Sequence, residues 1–188
     1  MTVGVTVLFT DLVGSTELAT RLGAADAERM RQTHFSLLRS AIVEHGGTEV
    51  KNLGDGVMAV FPGTVGALDA AIAIEHSLHH HSATTGEPLT VRIGIAVGDC
   101  TRDDDDYFGE PVIIAARLCA LAAAGEILVP AYVRHLTPRG AHTFTEGGPR
   151  TLKGIPEPVA VATVQWEPPT ATAHERVLGL LDRLAEDG

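Results

Sequence analysis

The chain has only two cysteines, Cys100 and Cys119, in 188 residues. That is too few for a disulfide framework, and a reduced, cytoplasmic setting is the simpler reading. No uninterrupted apolar stretch reaches about 18 residues, so no membrane-spanning segment is predicted. The N-terminus lacks the basic region and apolar segment of a signal peptide. Lysine and arginine nowhere form a run, and the net charge is −10. Nucleic acid and anionic membrane surfaces are therefore poor partners. A polyanion bound here must be held by a local metal site and a few placed bases. Hydrophobic residues at 45% and charged residues at 20% give an ordinary globular balance. The length suits one domain with a small extension, and it suffices for a real core.

Against that background two aspartates stand out. Asp11 follows the apolar run Val7-Leu8-Phe9 and precedes Leu12-Val13-Gly14-Ser15-Thr16, a pattern that reads as a strand stopping, turning and opening a helix. Asp55 lies in Leu53-Gly54-Asp55-Gly56 before Val57-Met58-Ala59-Val60-Phe61, which reads as a hairpin turn with glycine supplying unusual dihedrals. Were both turns to fall at one end of a sheet, two carboxylates would meet beside a helix N-terminus. Such a site suits a hard divalent cation carrying a polyphosphate.

The remaining pattern predicts a strand over 3–10 and a helix from Ser15 to about His45, broken near Gly23. A hairpin follows over 48–61, then an alanine-rich helix over about 65–78, a strand over 89–97 and a polar loop over 101–106. A helix over about 111–123, a short strand over 127–129 and a short helix over 131–136 come next. Strands over 142–153 and 159–166 close the domain. Pro168-Pro169 marks a boundary, so 1–167 is read as the domain and 168–188 as an extension with an amphipathic helix through Val177 and Leu184. The order β-α-β-β-α-β predicts an α+β fold, a ferredoxin-like antiparallel sheet with helices packed on it plus C-terminal αβ elements. In that layout the turn after the first strand and the hairpin turn share one end of the sheet.

Five segments in order resemble the class III nucleotide cyclase catalytic domain. They are Phe9-Thr10-Asp11-Leu12-Val13-Gly14-Ser15-Thr16, Lys51-Asn52-Leu53-Gly54-Asp55-Gly56, Arg92-Ile93-Gly94-Ile95, Asp106-Tyr107-Phe108-Gly109 with Ala115-Ala116-Arg117, and Leu152-Lys153-Gly154-Ile155. The resemblance implies conversion of a nucleoside triphosphate to its 3′,5′-cyclic monophosphate and pyrophosphate, by a head-to-tail homodimer with active sites between the subunits. It implies that Asp11 and Asp55, with the Leu12 carbonyl, bind two divalent cations. All-oxygen ligation favours Mg²⁺ or Mn²⁺. The backbone from Leu12 through Val13, Gly14, Ser15 and Thr16 would cradle phosphates. Arg117 resembles the arginine that stabilises the transition state, and Arg92 and Lys153 resemble further phosphate contacts.

Lys51 and Asp106 occupy the base-selecting positions. Lysine only donates and an ionised aspartate only accepts, matching N1 and the 6-amino group of adenine and mismatching guanine. ATP is thus the predicted substrate. Asp106 is the member of the Asp103–Asp106 run in register, with Asp105 next to it as the fallback. The implied partition gives the metal aspartates to one subunit and Lys51, Asp106, Arg117 and Lys153 to the other. One departure stands at Ile113, where the family pattern has asparagine; a side chain without hydrogen-bonding atoms there removes a transition-state contact.

Plainer structural readings exist for each residue. Asp11 could cap a helix, Asp55 could serve a turn, and Ser15 and Thr16 could be N-caps. His79-His80-His81 reads as a solvated helix end, and the two cysteines as buried. At the level of function, the alternative is a catalytically weak cyclase-homology domain acting as a nucleotide-binding regulatory or dimerisation module. A palm-type nucleotidyl transferase comes third, since it gives no reason for Lys51 and Asp106.

Overall fold

The computed structural model describes residues 1–166, and the helix anticipated over 177–184 lies outside them. One sheet organises the chain. β1 (Thr2–Leu12) lies between β3 (Val57–Phe61) and β4 (Val91–Asp103), antiparallel to both; β2 (Thr48–Asn52) flanks β3 at the edge. On the other side of β4 come β6 (Ile127–Pro130), β8 (Val159–Val164) and β7 (Phe144–Arg150), while the short β5 (Asp106–Phe108) pairs only with β4. The fold is α+β as anticipated, with one correction. β6 runs parallel to β4, so the sheet is mixed rather than antiparallel throughout. The connection from β4 to β6 passes through a helix, which returns the chain in the same direction.

The central strands read as near-continuous apolar runs because both faces are covered. Leu8, Val57, Ala59, Phe61, Ile93 and Ile95 point to a core with α2 (Ala24–Glu44) and α3 (Thr64–Thr85). Alternating with them, Val7, Phe9, Met58, Val60 and Ala96 point to a second core under α4 (Glu110–Leu121). α1 (Ser15–Leu22) is short, and the break at Gly23 separates it from α2. α3 runs about two turns beyond its last core-facing leucine, Leu78, so His79, His80 and His81 lie within the helix rather than at its end. Cys100 and Cys119 are buried and unpaired. Among the described residues no helix is long and apolar enough to cross a membrane.

Candidate active site

β1 delivers Asp11 at its end, and Gly14 then turns the chain with φ 67°, a left-handed conformation that glycine takes without a Cβ penalty. α1 begins at Ser15 with no side-chain cap, so the hydroxyls of Ser15 and Thr16 are not spent as N-caps. The Val13 amide donates to the Thr90 carbonyl at 2.9 Å, which withdraws it from the anticipated phosphate cradle and leaves the amides from Gly14 onward.

The second turn is held from three sides. The Leu53 amide donates to the Gly56 carbonyl and the Gly54 amide to Asn52 Oδ1, both at 2.8 Å. Thr10 Oγ1 accepts from the Val57 amide at 3.0 Å, tying the start of β3 to the end of β1. A Cβ on Gly56 would sit 1.8 Å from the Thr10 carbonyl oxygen, so only glycine lets the two backbones approach this closely. Asp11 and Asp55 consequently line one cavity of about 310 Å³, together with Arg92, Leu53, Ala116, Cys119 and Ala120. The predicted convergence of these two turns is present.

Charges in this cavity are arranged by strand register. Asp11 and Arg92 are direct cross-strand partners on β1 and β4, and Arg92 donates to Asp11 Oδ2. Arg92, anticipated at the phosphates, is thus held on Asp11, anticipated as a metal ligand. Cys119 faces the same cavity, and burial, reinforced by the negative Asp11, pushes its thiol up to about 12. It stays a thiol at neutral pH and supplies no soft ligand.

Asp55 has two further contacts that sequence reasoning missed. The Ser15 hydroxyl donates to Asp55 Oδ2 at 2.7 Å, and His34 Nε2 lies 3.0 Å from the Asp55 carbonyl. His34 is fully buried on α2. Burial holds its pKa below the usual imidazole value, so the neutral ring is favoured. The signal was its place in the ladder Met30, His34, Leu38, a polar residue on a buried stripe.

A second group of residues forms around β2, β5 and α4. Lys51 donates to Asp106 Oδ2 at 2.6 Å, and the Tyr107 amide donates to Asp106 Oδ1 at 2.8 Å. Those two bonds, the lysine first, hold the Asp106 carboxyl below its usual range. The run Asp103–Asp106 is no loop but the tip of a β4–β5 hairpin, with Asp104 at φ 49°. Asp105 points to solvent and reaches only Arg102, at 3.7 Å, so the fallback register is not the one Lys51 selects. On α4, the exposed Arg117 donates from Nε to the Lys153 carbonyl at 3.1 Å. Ile113, one turn earlier, is 41% exposed. None of Lys51, Asp106, Arg117 and Lys153 lines the cavity of Asp11 and Asp55.

Does the carboxylate pair suit divalent metal? Among the described residues no group of three or more His, Cys, Asp and Glu forms a self-sufficient metal cage. Two carboxylates with no available thiolate make an all-oxygen, incomplete donor set. That set fits Mg²⁺ or Mn²⁺ carried by substrate phosphates, since these ions complete their shells with phosphate and water.

Residues 2–165 match the model of the adenylate and guanylate cyclase catalytic domain. The chain is 36% identical over 154 residues to an uncharacterized protein of Mycobacterium tuberculosis, covering 80% of this chain and 38% of that one. It therefore spans well under half the length of that curated relative. Among solved structures, an adenylate/guanylate cyclase/hydrolase from Silicibacter pomeroyi is 31% identical with a TM-score of 0.77, covering 90% of this chain and 99% of that one. The adenylyl cyclase CyaB from P. aeruginosa is 27% identical with a TM-score of 0.78, covering 88% and 95%.

Proposed function

We propose that this chain, which belongs to the adenylate and guanylate cyclase catalytic domain family, converts ATP to 3′,5′-cyclic AMP and pyrophosphate as a head-to-tail homodimer with shared active sites. The observation that carries the choice of ATP is the Lys51–Asp106 pair, a fixed donor beside a fixed acceptor. An adenine edge satisfies both at once, Lys51 donating to N1 and Asp106 accepting from the 6-amino group. Guanine offers a donor to the lysine and an acceptor to the aspartate.

Asp11 and Asp55, with the Leu12 carbonyl, would hold Mg²⁺ or Mn²⁺, whose chemistry when bound is to neutralise triphosphate charge and to favour ionisation of the ribose hydroxyl. The turn amides from Gly14 onward receive phosphate oxygens at the start of α1. In the reaction the ribose 3′-oxygen bonds to the α-phosphorus and the bond from that phosphorus to the β-bridging oxygen breaks. Pyrophosphate leaves with the electron pair, and the hydroxyl proton passes to solvent. Arg117 places a guanidinium where charge grows on the transferring phosphate, with Lys153 alongside it. Because these cations stand outside the carboxylate cavity, a partner subunit is the natural source of the second half of each site.

The test is product formation. Purified protein with Mn²⁺ and ATP is expected to yield cyclic AMP, GTP to yield little cyclic GMP, and Asp11→Ala to yield neither. Absence of cyclic AMP from the wild type, or undiminished product from the variant, rejects the reading.

A further inference from the structure

We propose that Ser15 and His34 are positioning residues for Asp55, a two-point clamp that aims its carboxylate at the cation site; the proposal rests on the reading of Asp55 as a cation ligand. The turn carrying Asp55 projects from the sheet, and Leu53 and Gly54 are exposed. A carboxylate on such a turn has two free torsions, and nothing in a Gly-Asp-Gly sequence fixes them. Two bonds from outside the hairpin do. The Ser15 hydroxyl, 2.7 Å from Oδ2, fixes the side chain. His34 Nε2, 3.0 Å from the Asp55 carbonyl, fixes the backbone from which that side chain springs.

Chemistry assigns the direction of both bonds. A main-chain carbonyl only accepts, so Nε2 carries the hydrogen and the neutral imidazole suffices. The other ring nitrogen, Nδ1, is buried with no partner among the described residues, which costs stability and is consistent with a ring placed for the Asp55 contact rather than for its own satisfaction. The Ser15 bond occupies one lone pair of Oδ2 and leaves Oδ1 and the remaining lone pair free for a cation. Ser15, His34 and Asp55 line a common cavity of 510 Å³ between the turn and the α1–α2 helices, so no packed side chain would replace the clamp if it were removed. The clamp also joins β1's turn to β2's turn through side chains, adding to the Thr10–Val57 tie made through the strands. Partners of metal ligands that do not touch the ion orient the ligand, and removing one typically weakens metal binding about 10- to 100-fold.

The experiment is a Mn²⁺ titration of the protein saturated with 3′-deoxy-ATP, which carries the phosphates but cannot cyclise, read by the enhancement of water-proton relaxation by protein-bound Mn²⁺, beside steady-state kinetics. Ser15→Ala is expected to weaken Mn²⁺ binding about 10- to 100-fold and to raise the Mn²⁺ needed for half-maximal rate. Ser15→Thr, which keeps the hydroxyl, restores both. His34→Leu weakens binding in the same direction, while His34→Gln, whose amide can donate in place of Nε2, retains it. Asp55→Asn separates the two levels of the argument. If Asp55→Asn binds Mn²⁺ as the wild type does, the cation-site reading fails and the clamp with it. If Asp55→Asn loses binding but Ser15→Ala does not, the clamp alone is overturned. Ser15 is a half-buried residue in the first turn of α1, where the helix accepts alanine, so its arm decides the matter even if the buried His34→Leu variant does not fold.

Discussion

Glu75 offers a stringent test of how this domain is put together. It lies on α3 among core residues, is 2% exposed, and its Oε1 has no hydrogen-bond partner among the described residues. Burial alone raises its carboxyl pKa from 4.5 to about 8. Between those values the folded protein holds a proton that the unfolded chain has released. Stability therefore falls as pH rises through this window, by about 1.4 kcal/mol per pH unit for a single group. From pH 5.5 to 7.5 the loss amounts to roughly 2.5 kcal/mol. Below pH 4.5 both states are protonated, and above about 8 both are ionised, so the slope vanishes at either end.

Glu75→Gln keeps the shape of the protonated acid and removes the titration. Urea unfolding at pH 5.5 and 7.5, at fixed protein concentration because a dimer shifts apparent stability, should show the two proteins within about 1 kcal/mol at the lower pH. At the higher pH the glutamine variant should be the more stable by roughly 2 to 3 kcal/mol. Titrations of all other groups are common to both proteins and cancel in the difference. A difference that does not change with pH would refute the reasoning, because it would mean Glu75 is either ionised and paired or reached by water in the folded state.

The shared-site reading predicts complementation: Asp55→Ala and Arg117→Ala should each be inactive, yet a refolded equimolar mixture should regain about a quarter of wild-type activity, since half the dimers are mixed and each of those has one intact site. Activity of the mixture no greater than that of the separate variants would place both residues in one subunit's site. Asp106→Ala should lower kcat/KM for ATP about 10- to 100-fold, the worth of a hydrogen bond to a charged group, with far less effect on residual GTP turnover. Equal losses on both nucleotides would remove Asp106 from base selection. Ile113→Asn should raise kcat on the order of 10²-fold, as restoring one placed donor does elsewhere, and an unchanged kcat would show that the exposed face of α4 at this position plays no part.

Much of the fold was legible because burial on two faces writes itself into β3 and the middles of β1 and β4 as near-continuous apolar runs. The errors have a common physical origin, in that pairing and capping override pattern. β4 continues past Val97 to Asp103 because Thr101 and Cys100 are still in register with Thr2 and Val3 of β1. The aspartate run folds back as β5 because Thr101 pairs with Phe108, a contact no composition announces. α3 outlasts its apolar stripe because its polar turns end only at Gly86 with φ 74°, where the chain can reverse. β7, Phe-Thr-Glu-Gly-Gly-Pro-Arg, was anticipated longer because an edge strand facing solvent leaves little alternation to read.

For the candidate site the division is sharper. Asp11 and Asp55 could be placed together from topology alone, because antiparallel pairing of Phe9 with Met58 puts the end of β1 beside the start of β3. What topology could not supply is which charge faces which. Arg92 lies opposite Asp11 only in this register of β1 on β4; a slip by one residue would carry one of them to the other face of the sheet and leave the aspartate without its counter-charge. The same holds for Lys51 and Asp106, brought together by the β2–β3 and β4–β5 hairpins. In a protein of net charge −10 these cations reside on oxygen atoms of the chain itself: Arg92 on Asp11, Lys51 on Asp106, Arg117 on the Lys153 carbonyl. A composition count sees only an acidic chain, whereas strand register decides that Arg92 faces Asp11 and that Lys51 reaches Asp106.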